Sequence, residues 1–256
     1  AGGFLAADLD RVPWVLGIFA VAMLASALFL GACPSRPLHG RGESANPLHA
    51  LRHVGTDRMF RFTLASWMLM GLGNLVMLPL RVDYLANPRY GITLDPAQIA
   101  LYTGVIPNIA RLVMSRVWGI LFDRVNFFLL RIVLNVGFIL GILAFFTGGS
   151  TPGLLLGGIF FGIAWAGGDV AWSLWVTKIA PPEKVAEYMS VHTFFTGVRG
   201  IAAPFIAFQA VEHFGVGTLG AACCALILGA SLLLVPEVRT LRRRRAAQPL
   251  VPGEPE

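Results

Sequence analysis

Residues 127–147 read FFLLRIVLNVGFILGILAFFT, a run whose single charge, Arg131, stands near its start and whose one strongly polar side chain at depth is Asn135. A helix needs about 20 mostly apolar residues to cross ~30 Å of hydrocarbon. A membrane β-strand would instead show a short alternating segment, so this long continuous run reads as a spanning helix. Six further windows share the pattern, at about 12–31, 60–86, 97–122, 153–178, 186–211 and 216–236. The punctuation between them fits. Asn87-Pro88 and Asp95-Pro96 bracket one loop, Gly148-Gly149-Ser150-Thr151-Pro152 forms another, and Pro181-Pro182 and Pro236 mark further ends. The fold class expected is therefore an all-α integral membrane protein of about seven transmembrane helices.

Whole-chain composition agrees with the windows. Of 256 residues, 56% are hydrophobic and only 13% charged, with mean hydropathy +0.70. Soluble domains carry about 25% charged residues, so too little polar surface is available here to coat a water-soluble globule. That excludes a disordered chain, a collagen-like repeat and an ordinary cytosolic enzyme. Cys33, Cys223 and Cys224 have neither metal spacing nor an even-numbered framework. No HExxH, P-loop, GxSxG or paired CxxC occurs, so neither a metal nor another cofactor is expected, nor enzymatic chemistry.

The net charge of +6 is a matter of topology. With seven spans, one side receives the 32–59 segment, the turns after 122 and 178, and the tail with Arg242-Arg243-Arg244-Arg245. Counting Arg131 as a flanking residue, that side holds 14 Lys and Arg, against 3 on the other, while Arg111, Arg116 and Arg199 lie within spans. The positive-inside rule places the rich side in the cytoplasm of a multi-pass cell-membrane protein. No basic domain stands outside the bilayer, so nucleic acid is not an expected partner. Residues 1–11 lack the features of a signal peptide although the N-terminus falls outside, which reads as a fragment.

Charges within spans are costly, at about 2.5–3.5 kcal/mol each on insertion scales, so each calls for a reason. Gly104, Asn108, Arg111, Ser115 and Gly119 follow one another at helical steps and share a face. Gly158, Gly162, Trp165, Asp169 and Trp172 form a second such face, Tyr188, His192, Thr196 and Arg199 a third, and Trp67, Met70, Asn74, Met77 and Arg81 a fourth. Windows 127–147 and 216–236 lack a stripe and read as lipid-facing supports. Four helices would then surround a polar mid-membrane cavity, the place where secondary transporters bind substrate. Arg111 with Asp169 is either part of that site or a buried structural ion pair. His192 lies about 10 Å along the helix from Arg199, near the cytoplasmic interface or in a proton relay. The pairs Gly153/Gly157 and Gly158/Gly162 read as sites of close helix approach, and Pro107 and Pro204 as kinks.

The turn Gly119-Ile120-Leu121-Phe122-Asp123-Arg124-Val125-Asn126 resembles the G-x-L-x-D-R loop of the major facilitator superfamily. The family's version continues with Gly and further basic residues, whereas Asn126-Phe127-Phe128 follows here. Gly200-Ile201-Ala202-Ala203-Pro204 is similar to the Gly/Pro pattern of the family's penultimate helix. The resemblance implies that residues 1–31 are the last helix of a missing N-terminal six-helix half. Residues 32–58 would be a cytoplasmic linker, 59–236 a six-helix C-terminal transporter domain, and 237–256 a basic cytoplasmic tail. It also implies a cytoplasmic gate at Gly119, Asp123 and Arg124, with Gly119 permitting close helix approach and Asp123 meeting a helix N-terminus or Arg116, Arg124 or Arg131.

The expected function is secondary transport of a small polar or anionic solute by alternating access. The substrate site would be Asn74, Asn108, Arg111, Asp169, Trp172 and Arg199, with proton coupling at Asp169 and His192. The partners are then the lipid bilayer, the small-molecule substrate and the upstream half. Seven spans with an outside N-terminus also fit a seven-helix receptor. A retinal protein is excluded, because the last window lacks a Schiff-base lysine, and a receptor without retinal would pack its first helix into the bundle.

Overall fold

Polar residues at the window edges start and stop the helices. Asp57 accepts a hydrogen bond from the Phe60 amide, and Asp95 with Gln98 closes a reciprocal capping box. Asn126 accepts from the amides of Phe128 and Leu129, and Ser150 accepts from that of Gly153. Each cap satisfies amides that the first helical turn leaves without an internal acceptor. Asn126, where the turn departs from the family pattern, thus stands there as an N-cap.

The computed structural model describes residues 12–32, 47–147 and 149–238, and the secondary structure among them is helical. The helices are α1 (Val12–Ala32), α2 (Arg52–Thr56), α3 (Arg58–Ala86), α4 (Pro96–Arg124), α5 (Phe127–Phe146), α6 (Thr151–Leu174) and α7 (Val185–Leu232). Five helical runs, Arg58–Ala86, Pro96–Arg124, Phe127–Phe146, Thr151–Lys178 and Pro182–Val238, are long and apolar enough to cross a membrane. The last of them accommodates two of the expected windows. It turns at Gly215, whose φ of 74° and ψ of 161° suit glycine and little else, giving limbs 185–214 and 216–232. Pro204 lies inside the first limb, and the non-helical break falls at Gly215. In α4 the residues before Pro107 form a π turn, Leu101–Val105, in which the Ile106 amide donates to the Leu101 carbonyl. The wider turn accommodates a proline that has no amide to donate.

α3 packs against both limbs of α7. Ser66 donates to the Ala230 carbonyl at 2.8 Å, and Gly73 lies where a Cβ would come 2.8 Å from the Cys223 carbonyl oxygen. α6 carries two glycine seams. A Cβ at Gly157 would meet the α5 backbone at Phe145 at 2.7 Å, and one at Gly162 would meet the α4 carbonyl of Pro107 at 2.2 Å. Both glycine pairs of α6 thus permit the close approach expected of them. Gly119 does not, since a Cβ there would have open space around it.

Two expectations about polarity change. α5 turns Val133, Val136, Leu140 and Leu143 outward but buries the opposite face, including Arg131 and Asn135. It is not simply a lipid-facing support. The end of the 32–58 segment is also structured. Pro47–Leu51 forms a 3-10 turn, and α2 follows, packed on the start of α7. His53 stacks on Tyr188 with ring centroids 4.4 Å apart and sits 2.6 Å from Glu187, while Tyr188 donates to Asp57 at 3.0 Å. Residues 33–46, with Arg36 and Arg41, and the tail arginines from Arg239 on lie outside the described residues. α1 leaves its apolar side chains exposed, Trp14 and Leu30 among them.

Candidate functional site

Arg111 of α4 and Asp169 of α6 meet as their helical faces predict. Nε of Arg111 donates to Oδ2 of Asp169 at 2.7 Å. Their side chains are 44% and 53% exposed, so the pair is open rather than buried. Gly162, Gly158 and Pro107 set the distance by letting α4 and α6 nearly touch. Asn108 is exposed beside the pair and donates to the Gly104 carbonyl at 2.9 Å. Ser115 donates to the Arg111 carbonyl and Ser173 to that of Asp169. This open face offers one charged pair and an amide whose carbonyl oxygen is uncommitted.

A second group of site residues lies deeper, around Trp67 of α3. Arg199, on the first limb of α7, donates from NH1 to the Trp67 carbonyl at 2.7 Å, and its Nε meets no acceptor among the described residues. Its guanidinium lies where any side chain at residue 71 would stand, because a Cβ on Gly71 would be 1.8 Å from NH1. His192 is fully buried. Its ring lies 5.2 Å from that of Trp175, 5.4 Å from Trp172 and 5.8 Å from Trp67, and neither ring nitrogen has a hydrogen-bond partner among the described residues. His192 thus stands in an aromatic cage. Trp172 joins the two regions: it is 36% exposed and one turn from Asp169. Asp169 and His192 share no hydrogen bond. Asn74 is half-buried on α3, with its Oδ1 unpartnered among the described residues.

Sequence reasoning missed Arg131. Counted as a cytoplasmic flank, it is fully buried, with Cζ 3.5 Å from the Trp67 ring centroid. None of its three side-chain nitrogens has an acceptor among the described residues. Arg199 holds the carbonyl of the same Trp67, so two like charges gather around one residue. A cation over an indole gains about 2 kcal/mol when desolvated, whereas burying a charge costs several kcal/mol. Arg131 and Asn135 stand one turn apart, in phase with Phe138 and Ile142, which are also buried, but the spacing alone does not say which face of α5 turns inward. Arg81, likewise assigned to a flank, is 5% exposed, and its guanidinium faces Trp165 at 4.6 Å and Phe161 at 5.1 Å.

The gate residues end α4 at the surface. Asp123 and Arg124 are exposed, and neither makes a side-chain hydrogen bond or ion pair among the described residues. Arg131, offered as a partner for Asp123, is committed to the interior instead. Among the described residues no group of three or more His, Cys, Asp or Glu could hold a metal ion.

A polar face open beside close-packed spanning helices, with further charge buried behind it, is an arrangement suited to moving a solute rather than to sealing a membrane. No curated protein matches the chain. Residues 1–204 match the family model described as Major Facilitator Superfamily, four fifths of the sequence. The chain belongs to the major facilitator superfamily and is a membrane transporter.

Proposed function

We propose that this protein carries a small polar or anionic solute across the cell membrane by secondary active transport with alternating access, coupled to protons. One observation carries the reading: Arg111 and Asp169, two charges at mid-span, meet on an open face instead of being sealed in a core. Arg111 presents guanidinium donors to an acceptor on the solute, Asn108 adds an amide, and Trp172 supplies an apolar wall. Asn74 and Arg199 extend the site inward. Asp169 is the proton-coupling group: protonation releases Arg111, and the freed guanidinium takes the solute. His192, one ring contact beyond Trp172, is the second coupling group. Gly119, Asp123 and Arg124 act as the cytoplasmic gate, in contact with the opposite wall of the cavity.

That wall would be an upstream six-helix half, of which α1 is the last helix. The exposed apolar surface of α1 supports this arrangement, and it speaks against a seven-helix receptor, whose first helix would pack into the bundle. The excess of arginine in the linker and tail supports placing both in the cytoplasm.

The test is uptake into proteoliposomes by the protein as the cell makes it, driven by a pH gradient, with a panel of small carboxylates and phosphates. Asp169→Asn should abolish the pH-driven component while leaving solute exchange. Unchanged pH-driven uptake would remove Asp169 from the coupling role. Asp123→Asn should shift the inward/outward balance and spare binding, as read by labelling of cytoplasmic cysteines.

A further inference from the structure

The basic cluster around Trp67 includes Arg131 and two indole N–H groups to which the transport reading gives no role. Arg131 is fully buried, and its Nε, NH1 and NH2 lack an acceptor among the described residues. Nε of Arg199, both ring nitrogens of His192 and the indole nitrogens of Trp67 and Trp175 are in the same condition. These groups come from α3, α5, the turn after α6 and the first limb of α7, yet they converge. Arg131 covers the Trp67 ring, Arg199 holds the Trp67 carbonyl, and His192 touches both indoles. Almost all of them are donors, and nearby carboxylates are engaged elsewhere. Asp57 takes Tyr188, Glu187 takes His53, and Asp169 takes Arg111. The face of Trp67 offsets part of the cost of burying Arg131 but accepts no hydrogen bond in the guanidinium plane. Two like charges held together in a core call for an opposite charge between them.

We propose that Arg131, Arg199 and His192, with the indole N–H groups of Trp67 and Trp175, bind a small anion at the junction of α3, α5 and α7, behind the Arg111–Asp169 face. Arg199 is half-buried and Trp172 partly exposed, so the ion reaches the cluster along that edge. The forked guanidinium of Arg131 suits an oxyanion or a halide, and the aromatic walls exclude a large hydrated ion. The anion is either a free inorganic ion or the anionic group of the transported solute.

The test is binding, which does not depend on transport. The full chain in lipid nanodiscs is titrated with sodium chloride, nitrate, acetate or phosphate against the bulky gluconate at constant ionic strength, and tryptophan fluorescence and Tm are read. At least one small anion should give a saturable fluorescence change and a higher Tm. Arg131→Gln should weaken the apparent affinity about tenfold or more, while exposed Arg58→Gln leaves it unchanged. A response to chloride, nitrate or phosphate assigns the site to a free inorganic ion, and a response confined to acetate assigns it to a carboxylate of the solute. A flat wild-type titration overturns the proposal without any variant, and so does an undiminished response in Arg131→Gln. Should Arg131→Gln not fold, Arg131→Lys keeps the charge but loses the fork, and it must still weaken binding.

Discussion

Arg111 and Arg131 are the same side chain in opposite settings. Arg111 stands on an open face, paired with Asp169, on a helix that buries little of itself. Arg131 stands in the core, over an indole, with no acceptor among the described residues. The open pair can exchange its partner for water or a solute group at modest cost. The buried arginine has no such freedom, so its charge bears on the stability of the fold itself. The molecule thus keeps an adaptable charge where a ligand can reach it and a demanding one at the packed junction behind.

The sharpest way to break this contrast is to disturb what holds the open face together. Gly162→Ala puts a methyl 2.2 Å from the Pro107 carbonyl oxygen and 2.7 Å from the Ala110 Cβ. It should cost about 3 kcal/mol by thermal unfolding in detergent and loosen the Arg111–Asp169 pair. Gly119→Ala, on α4 with open space around it, should be neutral or stabilising by up to about 1 kcal/mol.

The two arginines should then differ in the size of their effect. Arg131→Met removes a buried charge without an acceptor and keeps most of the side-chain volume. In a buffer whose only anion is gluconate it should stabilise the protein by about 2 kcal/mol. Arg111→Met should change stability by less than about 1 kcal/mol in either direction. Equal effects would erase the distinction between the regions. The smallest effect belongs to the pair itself. A double-mutant cycle of Arg111→Ala and Asp169→Ala should give a coupling of about 0.2–1 kcal/mol in stability, since both side chains are about half exposed.

The sequence was most informative where a helix reports on itself. Spacing alone put Asn108 and Arg111 on one face and Asp169 and Trp172 on another, and it separated the limbs 186–211 and 216–236 that Gly215 divides. The glycine pairs of α6 were legible because small residues at helical steps leave few other uses. Arg131 was not legible by charge counting. An arginine five residues into an apolar run looks the same whether it snorkels to the interface or turns inward, and only the packing of α5 against Trp67 decides. The docking of α2 on Tyr188 and the open surroundings of Gly119 were hidden for the same reason: both depend on what a neighbouring helix presents. The aromatic surroundings of His192 needed the three indoles, which come from α3, α6 and the turn after α6.

The central claim is that the Arg111–Asp169 face lines a cavity opened in turn to each side of the membrane. Asn108 reports on it directly, being exposed beside the pair. The measurement is labelling of Asn108→Cys, with Cys33, Cys223 and Cys224 replaced by alanine, by a membrane-impermeant thiol reagent. It is made on the protein as the cell makes it, in sealed vesicles of each orientation. Labelling from both sides, slowed by solute, is the predicted result. Labelling from neither side, or from one side under every condition, would contradict the account.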